Sequence, residues 1–513
     1  MVPSATRVFL SLLLFAVCAS AYGVERYAVQ PTGRCFTPTA INERGDIAGV
    51  TYGVIPYRAL LWTNGATLDL GTLGGPASTA LGLNDRGEVV GIAEMANLER
   101  RAFLYHDGVM NDLGTLPGGR SSAATGINAA GQIVGSSEAY CGSRCPSCPD
   151  CIVWRAFRYH NGTMIDLGTL GGESSYGISI NANGDIVGGS DTADGERKPF
   201  VFRNGVMTAL LGGPDHQAED INASGTVIGR SYGFSWEGGG DGWVVMTGSG
   251  AIIWIGGGVE ELDPALGPLG REPLRINDRD QVIGNHSDLS QRDRIAAVPF
   301  LWENWRAQNL ESLLVPGAPS WTISAAMDIN NRGQIAAIGP SDEHGCEALR
   351  LDPVPTAVEY HHRSFDHYFI TALPNEISAL DSGTFSGWER TGQSFGVLPL
   401  NAAGSANVCR FWSHQTFAPK SSHFYTPFDW ECAIVKGDPV WSFEGEMFAI
   451  NLPDQNGNCP AGTLPLYRLY NDGQSAAPNH RYTTSLTTWA DMIVQGWIPE
   501  GSGVGVIGCV LAR

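Results

Sequence analysis

The sequence lacks a long apolar segment beyond its first 21 residues, and it is poor in positive charge. A membrane-spanning helix needs roughly 20 consecutive apolar residues, so we expect no membrane span in residues 22–513. The chain has 32 Lys and Arg against 52 Asp and Glu, which gives a net charge of −20. Because a polyanion is repelled by phosphate backbones and anionic lipids, we expect neither nucleic acid nor such membranes as partners.

The common catalytic motifs are also missing. The sequence contains no G-x-S-x-G, no H-E-x-x-H and no P-loop. His361, His362, Asp366 and His367 resemble a metal cluster, but side chains alternate between the two faces of a strand, so we predict no metal site. We predict no cofactor either. An enzymatic role is left open without being favoured.

The first 21 residues have the layout of a secretory signal peptide. Arg7 forms a short basic region, residues 8–17 are apolar, and Ala19-Ser20-Ala21 is an A-x-A cleavage site. We therefore predict that the chain is exported, to the periplasm, the cell surface or the medium. Of the 11 cysteines, ten remain when Cys18 is excluded. An even number in an oxidising compartment favours disulfides over metal ligands.

Two short phrases recur along the first two thirds of the chain. DLGTLGG occurs at residues 69–75 and 166–172, and DLGTLPGG at 112–119. The second phrase, GINAAGQIVG at 126–135, has relatives at a spacing that fits the ~40–50 residues of a four-stranded propeller blade. The asparagines of its seven copies are Asn42, Asn84, Asn128, Asn181, Asn222, Asn277 and Asn330.

Each copy carries four strand signals joined by Asn-Gly-type turns. In the second copy the strands are predicted at residues 80–83, 88–91, 102–105 and 109–113. DLGTLGG is then the end of an outer strand and the crossing to the next blade. Its glycines allow positive φ there, and its Thr and Leu are expected to pack between blades.

The seven copies predict a mostly β fold, a seven-bladed β-propeller over residues 22–351. A ring removes the unpaired strand edges that an open stack would leave. The last copy lacks a fourth strand, and residues 27–29 stand where one is needed. We therefore predict that this N-terminal strand completes the last blade, and that a disulfide joins Cys35 to Cys346.

These phrases resemble the HAF-type extracellular repeat family, whose units combine a Gly-Ile-Asn-x-x-Gly-x-Ile/Val-x-Gly core with an Asp-Leu-Gly-Thr-Leu-Gly-Gly tail. The resemblance covers residues 24–351. The His-Ala-Phe that names the family appears here as Arg-Ala-Phe at 101–103 and 155–157. The resemblance implies an extracellular β-propeller and no known activity.

Ligands are expected on the propeller face that carries the connections between the second and third strands, because three of them are long. They span residues 136–154, 231–250 and 285–297. The first contains Cys141, Cys145, Cys148 and Cys151, interpreted as two disulfides, with a metal site as the alternative. The second contains Trp236 and Trp243 beside carboxylates. That pattern is typical of sugar stacking, and the alternative is a flexible loop whose tryptophans pack on the blade.

A linker at residues 352–357 separates the propeller from a second, smaller region. Residues 358–513 contain three units, each predicted as strand, strand, short helix, strand, and His367, His423 and His480 recur through them. The helices are predicted at 374–380, 427–434 and 485–493.

The three units resemble a domain family of unknown function found at the ends of secreted bacterial proteins. Its marks are Tyr-Arg-Phe/Leu-Tyr, His-Phe-Tyr-Thr and Trp-x-x-Glu-Gly. The first unit departs from this pattern, with Glu359 in place of the arginine and Thr391 in place of the glutamate. If each unit holds a pocket, the first is therefore expected to be degenerate.

The side chains that the other two units share suggest a sugar pocket, in which aromatic faces stack on the sugar and Arg, His and Glu bind its hydroxyls. The candidates are Arg410, His423, Tyr425, Trp441 and Glu444, and then Arg468, His480, Tyr482, Trp497 and Glu500. The alternative is that these residues form the core of the repeat. Cys409 with Cys432, and Cys459 with Cys509, are candidate disulfides, although sequence alone does not set the pairing.

Two functions remain open at this point. The first is a secreted, non-catalytic binding protein, in which the propeller is a platform and the C-terminal region binds extracellular glycans or cell-surface proteins. The second is a structural or protein-interaction propeller without sugar binding. A secreted glycan-active hydrolase is a further alternative, for which Glu219, Asp220, Glu260 and Glu261 are available carboxylates.

Overall fold

The computed structural model describes most of the chain, and every structural statement below concerns these residues. They are 26–141, 152–213, 216–237, 243–262, 271–288, 296–315, 321–340, 345–402, 404–413, 420, 422–474 and 477–511. The predicted signal peptide and Cys145, Cys148 and Cys151 lie outside them. In the described part, no helix is both long and apolar enough to cross a membrane.

Residues 27–353 form seven four-stranded antiparallel sheets, the blades of a β-propeller. Blades 1 to 4 are β2 (Phe36–Ile41), β3 (Ile47–Thr51), β4 (Ala59–Thr63), β5 (Ala66–Asp69); β6 (Gly74–Leu83), β7 (Val89–Met95), β8 (Arg100–His106), β9 (Val109–Asp112); β10 (Ser122–Ile127), β11 (Ile133–Tyr140), β12 (Ile152–His160), β13 (Thr163–Asp166); β14 (Gly171–Ile180), β15 (Ile186–Thr192), β16 (Arg197–Arg203), β17 (Val206–Ala209). Blades 5 to 7 are β18 (His216–Ile221), β19 (Val227–Glu237), β20 (Trp243–Ile255), β21 (Gly258–Glu261); β22 (Arg271–Ile276), β23 (Val282–Asp288), β24 (Ala296–Glu303), β25 (Arg306–Asn309); β26 (Ala325–Ile329), β27 (Ile335–Gly339), β28 (Glu347–Pro353), β1 (Tyr27–Pro31). A 3-10 helix, Leu310–Leu313, follows β25.

The ring closes as predicted, with the N-terminal strand β1 completing the last blade. β1 pairs antiparallel with β28, from Tyr27 opposite Pro353 to Pro31 opposite Leu349. The predicted disulfide between Cys35 and Cys346 links the same two parts of the chain. Closure also shows in the core, because a cluster of buried apolar side chains joins blade 7 to blade 1, as similar clusters join the other neighbouring blades.

The repeated DLGTLGG phrase forms the crossing between blades. The Asp69 carboxylate accepts the amide of Gly71, whose φ is +86°. Ser78 of the next blade donates its hydroxyl to the Gly71 carbonyl at 2.6 Å. Leu70 is buried between blades 1 and 2, as predicted, whereas the Thr72 hydroxyl accepts the Gly74 amide and so stabilises the turn.

A β-bulge occurs in the innermost strand of every blade, three residues before the repeated asparagine. The second strand carries a glycine opposite this bulge in blades 1 to 6. A Cβ on Gly91 would lie 2.0 Å from the Thr79 carbonyl oxygen and 2.9 Å from the Phe103 ring. The last glycine of the GINAAGQIVG phrase is therefore required by the close approach of two strands and a phenylalanine.

The seven repeated asparagines form a closed ring of hydrogen bonds. The Asn181 Nδ2 donates to the Asn222 carbonyl at 2.9 Å, while its Oδ1 accepts two amides of its own turn. The same Nδ2-to-carbonyl bond links every blade to the next, at 2.8 to 3.2 Å. The bond from Asn330 to the Asn42 carbonyl closes the ring. Each side chain therefore stabilises its own turn and also joins two blades.

The C-terminal region contains three repeats with a strand, strand, helix, strand order, as predicted. Their elements are β29 (Thr356–His362), β30 (His367–Thr371), α1 (Pro374–Asp381), β31 (Trp388–Gly396); β32 (Ala406–Trp412), β33 (His423–Thr426), α2 (Asp429–Lys436), β34 (Ser442–Ile450); β35 (Thr463–Tyr470), β36 (His480–Thr483), α3 (Leu486–Val494), β37 (Ile498–Glu500) and β38 (Val506–Leu511). In each repeat the first strand lies between the second and the third.

The buried final strand, β38, lies between repeats 1 and 3. It pairs with β35, and Gly396 of β31 lies opposite its Leu511. The predicted disulfides are present, Cys409 with Cys432 inside repeat 2 and Cys459 with Cys509 of β38. β28 ends at Pro353 and β29 begins at Thr356, so the linker is shorter than the predicted 352–357.

Candidate functional site

The flanking strands extend into each of the long connections predicted on the propeller. β19 and β20 remain paired as far as Glu237 opposite Trp243, so the predicted loop at 231–250 is a long hairpin and that loop prediction is wrong. Trp236 also lies in a strand, opposite Val244. The side chains of the two tryptophans, and the loop at 142–151, lie outside the described part.

Strand register defines which positions are equivalent in the three C-terminal repeats. Arg410 lies opposite Tyr425, and Arg468 lies opposite Tyr482. In repeat 1 the same position is held by Glu359, opposite Ile370.

The register also corrects the histidine alignment. Phe424 and Arg481 come one residue before Tyr425 and Tyr482 in their strands. His423 and His480 come two residues before these tyrosines. The equivalent of these histidines is Tyr368, opposite His361. His367 pairs with His362 and lies one residue earlier. Its expected equivalence to His423 and His480 is wrong, because the stretch from this histidine to the threonine that ends the strand has five residues in repeat 1 and four in the others, both ends included.

Arg410 and Arg468 each bind a glutamate on the helix of the preceding repeat. Arg410 donates to both carboxylate oxygens of Glu376 at 2.8 Å. Arg468 donates to both oxygens of Glu431 at 2.8 and 2.9 Å. Both arginines are buried. A buried, bidentate pair of this kind fixes the position of one repeat against the next.

A second glutamate and a histidine complete each of these two junctions. Arg410 Nε lies 2.8 Å from Glu444 Oε2, and His423 Nε2 lies 3.3 Å from the same oxygen. Arg468 and His480 make the equivalent contacts with Glu500, at 3.1 and 3.3 Å.

The titration of these groups follows from their surroundings. Burial raises the pKa of the Glu444 and Glu500 carboxyls, but hydrogen bonds and charge from their histidine and arginine neighbours hold the net pKa below its ordinary value. Burial also lowers the pKa of His480, against the opposing effect of Glu500.

The tyrosines at these junctions contact the backbone of the preceding repeat. The Tyr425 hydroxyl donates to the Ile370 carbonyl and accepts its amide. The Tyr482 hydroxyl does the same with the backbone of Tyr425, at 3.0 and 2.8 Å. Trp441 packs against a cluster around Cys409, and Trp497 packs against Leu469. The arginine, histidine and glutamate of each unit therefore meet at one junction, whereas the tyrosines bond the preceding repeat and the two tryptophans pack in separate apolar clusters.

The third junction, between repeats 3 and 1, reverses the charges. Thr488 stands where Glu376 and Glu431 stand on the other helices. Glu359 replaces the arginine and is fully buried. It accepts two hydrogen bonds from Arg481, both at 3.1 Å. The Arg481 guanidinium lies 4.2 Å above the ring of Tyr368, so this pair takes the place of the Phe–His contacts of the other junctions.

This third junction contains a pocket of about 240 Å³. The threonine at 488 is shorter than the glutamate at the other helices, and this leaves room beside α3. The lining residues are Asp366, Tyr368, Arg481, Thr488, Asp491, Met492, Gln495 and Trp497. Of these, only Trp497 was a sequence candidate. The signal for the others was the departure of repeat 1 from the pattern, which sequence reasoning interpreted as loss of a pocket.

A charged network also lies on the innermost strands of blades 4 to 7. Asp220 accepts the Ser179 hydroxyl and the Ile276 amide. Asp328 accepts the Ile41 amide at 2.7 Å, and Arg275 Nε lies 3.6 Å from it. Burial raises the pKa of Asp220, and it raises the pKa of Asp328 to about 7.

The other carboxylates considered for hydrolysis lie elsewhere. Glu219 is buried beside Arg230, and burial raises its pKa. Glu260 and Glu261 lie on the outermost strand, β21, and so are not part of the innermost-strand network. In the described part of the chain, no group of three or more His, Cys, Asp or Glu side chains is arranged to hold a metal ion.

The C-terminal region has a family match. Residues 355–507 match the family described as Domain of unknown function (DUF5648), which agrees with the predicted domain of unknown function at the C-terminus. No curated protein matches the sequence. The resemblance of residues 24–351 to HAF-type repeats stays a prediction.

Among solved structures, the chain is similar to proteins that contain β-propellers. One is the β-propeller domain of the Trilobed protease from Pyrococcus furiosus, with 11% identity over 53% of this chain and 82% of that chain, at a TM-score of 0.36. Another is TolB from Acinetobacter baumannii, with 16% identity over 43% of this chain and 51% of that chain, at a TM-score of 0.28. A third is a gluconolactonase from Xanthomonas campestris, with 12% identity over 51% of this chain and 91% of that chain, at a TM-score of 0.30. The chain thus spans about half of the TolB structure. At these identities the matches concern the fold alone, and we take no activity from them.

Proposed function

We propose that this chain is a secreted, non-catalytic binding protein whose C-terminal region binds extracellular glycans. The propeller is the rigid platform, and the pocket between repeats 3 and 1 is the binding site. The signal-peptide pattern of residues 1–21 and the three disulfides support export.

The observation that carries this proposal is the composition of the pocket wall. Tyr368 and Trp497 lie edge to face in this wall, with ring centroids 6.3 Å apart. Asp366, Asp491 and Gln495 supply carboxylate and amide groups beside them. A wall made mainly of polar side chains fits a polyol, whose hydroxyls need hydrogen bonds.

The size of the site limits the ligand. Pockets for drug-sized molecules have volumes of about 300–1,000 Å³, and this pocket has about 240 Å³. We therefore expect it to take one terminal sugar of a longer glycan. The remaining sugars would extend over the exposed surface of α3.

A glycan-array screen of the full mature chain tests this function. We expect selective binding that falls at least about tenfold in Gln495→Ala, because a polar contact to the ligand is lost. The matched control is Asn375→Ala, an exposed amide on α1 outside the pocket. Absence of binding to any glycan would favour a protein-interaction or structural propeller.

One observation supports hydrolysis as a second candidate function. Asp220 and Asp328 lie on innermost strands of the ring, and perturbed pKa values are common at catalytic sites. If the chain cleaves glycosidic bonds, release of reducing sugar from oligosaccharides should disappear in Asp328→Asn. No release by the wild-type chain would rule this candidate out for the oligosaccharides assayed.

A further inference from the structure

The pocket between repeats 3 and 1 carries an excess of negative charge. Its one cationic lining residue is Arg481, and two hydrogen bonds tie that guanidinium to the buried carboxylate of Glu359. The carboxylates of Asp366 and Asp491 also line the pocket, and both residues are exposed. Since Glu359 neutralises Arg481, the charge presented to a ligand comes from these two aspartates, of which Asp366 also contacts His361.

The aromatic ring of Tyr368 is held in place from both sides. His361 stacks on it at 4.6 Å, and Arg481 lies over it at 4.2 Å. Burial raises the pKa of the Tyr368 hydroxyl against the opposing charge of Arg481, and Asp366 and Glu359 add to the rise. His361 Nε2 lies 2.9 Å from Asp366 Oδ1, and this contact fixes the carboxylate beside the ring.

From this arrangement we propose that the pocket selects an amino sugar with a free ammonium group, a hexosamine, over its N-acetylated form and over uronic acids. This inference rests on the proposed glycan-binding function. An ammonium group has three donors and a full charge, so it can bind Asp366 and Asp491 while the ring hydroxyls bind Gln495 and Thr488.

The competing sugars lack one of these features. N-acetylation removes the charge of the ligand, and with it the ion pair that the ammonium group would form with the aspartates. A uronic acid brings a third carboxylate toward Asp366 and Asp491, and Arg481 is not available to neutralise it. The net charge of −20 on the whole chain acts in the same direction, because it attracts cationic chains and repels anionic ones.

The test is calorimetric titration of the full chain at about pH 6 and physiological salt. The probes are a glucosamine tetrasaccharide, its fully N-acetylated counterpart and an oligogalacturonate. We expect the glucosamine probe to bind at least about tenfold more tightly than the acetylated one, as a charge-assisted hydrogen bond requires. The uronate should give no measurable heat. Asp491→Asn should remove the preference, and Asp429→Asn, an exposed carboxylate on α2, should retain it.

The outcomes separate the two proposals. Equal binding of the acetylated and free sugars would overturn the selectivity while leaving glycan binding in place. If no probe binds and the glycan array is also empty, both proposals fail. An equal loss in Asp491→Asn and Asp429→Asn would mean that general charge attraction, not this pocket, binds the cationic chain, and it would overturn the inference.

Discussion

The propeller and the C-terminal region are both built from repeats, but they use repetition differently. The propeller uses the same joint between neighbouring blades, the asparagine hydrogen bond, seven times. The Asn330-to-Asn42 bond closes the ring with the contact that also joins all other blades. The C-terminal region makes its Arg–Glu joint twice and reverses it at the third place. Uniform joints stabilise a ring, and the joint that differs is the one that contains the pocket.

Removing a disulfide from each region should give the largest effect and a clear asymmetry. The Cys35–Cys346 bond closes a loop of 311 residues, and the Cys409–Cys432 bond one of 23. Loss of a native disulfide costs about 2–5 kcal/mol, and loop entropy makes the longer loop about 2 kcal/mol more costly. Urea unfolding of the two double Cys→Ala variants measures this, with hydrogen-exchange mass spectrometry to identify the region that unfolds. Equal losses would contradict the ring-closing role.

Breaking one Arg–Glu joint should destabilise the C-terminal region alone. Arg468→Ala leaves Glu431 without its arginine and Glu500 with only His480, and loss of one partner of a buried pair costs about 3–5 kcal/mol. The control is Arg363→Ala, whose ion pair with Glu389 is exposed and worth at most about 1 kcal/mol. Calorimetric melting compares the two variants. A similar fall in Tm for both would show that the Arg468 joint is not structural.

Breaking one link of the asparagine ring should cost somewhat less. Asn181→Ala removes the bond to blade 5 and leaves two amides of its own turn unpaired. We expect a loss of about 2–3 kcal/mol in the free energy of unfolding of the propeller. Asn183→Ala, whose exposed side chain makes one bond to the Ala223 carbonyl, is the control and should cost under about 1 kcal/mol. Chemical denaturation followed by fluorescence measures both.

The smallest expected effect is that the stabilities of the two regions change with pH in opposite directions. The pKa of Asp328 is raised to about 7, above the ordinary pKa of an aspartate. Its contribution to propeller stability is therefore lost as the pH rises from that ordinary pKa to about 7. The pKa of His480 is lowered, so its contribution to the C-terminal region is lost as the pH falls below about 6.5.

We therefore expect acidification from about pH 7 to pH 5 to stabilise the propeller and destabilise the C-terminal region, by about 1–2 kcal/mol each. Asp328→Asn should remove the first trend and His480→Gln the second. Hydrogen exchange at the two pH values, measured region by region, checks both. Parallel trends in the two regions would contradict the assignment.

Much of the fold could be predicted from sequence because its signals are local. The Asn-Gly turns, the alternating strands and the repeat spacing predicted the blades, and pairing of residues 27–29 with the last blade followed from counting strands. The Cys35–Cys346 disulfide followed from closure of the ring, whereas the two C-terminal disulfides were candidates whose pairing the sequence did not set. The hairpin at β19 and β20 was missed because its glycine-rich sequence is typical of a loop.

The candidate site was harder to predict, because it depends on contacts between repeats. The sequence marks Arg468 and Glu500 as special, but the partner of Arg468 is Glu431, on the helix of the preceding repeat. Equally, Glu359 appeared to mark a lost pocket, since its partner Arg481 lies 122 residues away. Such pairings depend on how the repeats meet.

The sequence by itself determined the repeats, the turn chemistry, the compartment expected from its cysteines, and the residue types at each repeated position. These are local properties of the chain, and they follow from turn preferences and hydrophobic periodicity. The tertiary structure decided which of the repeated side chains are buried, how the asparagines join into a ring, and where the pocket lies. Burial and charge pairing depend on neighbours far apart in sequence, and only the folded chain brings Asp366, Arg481 and Asp491 together.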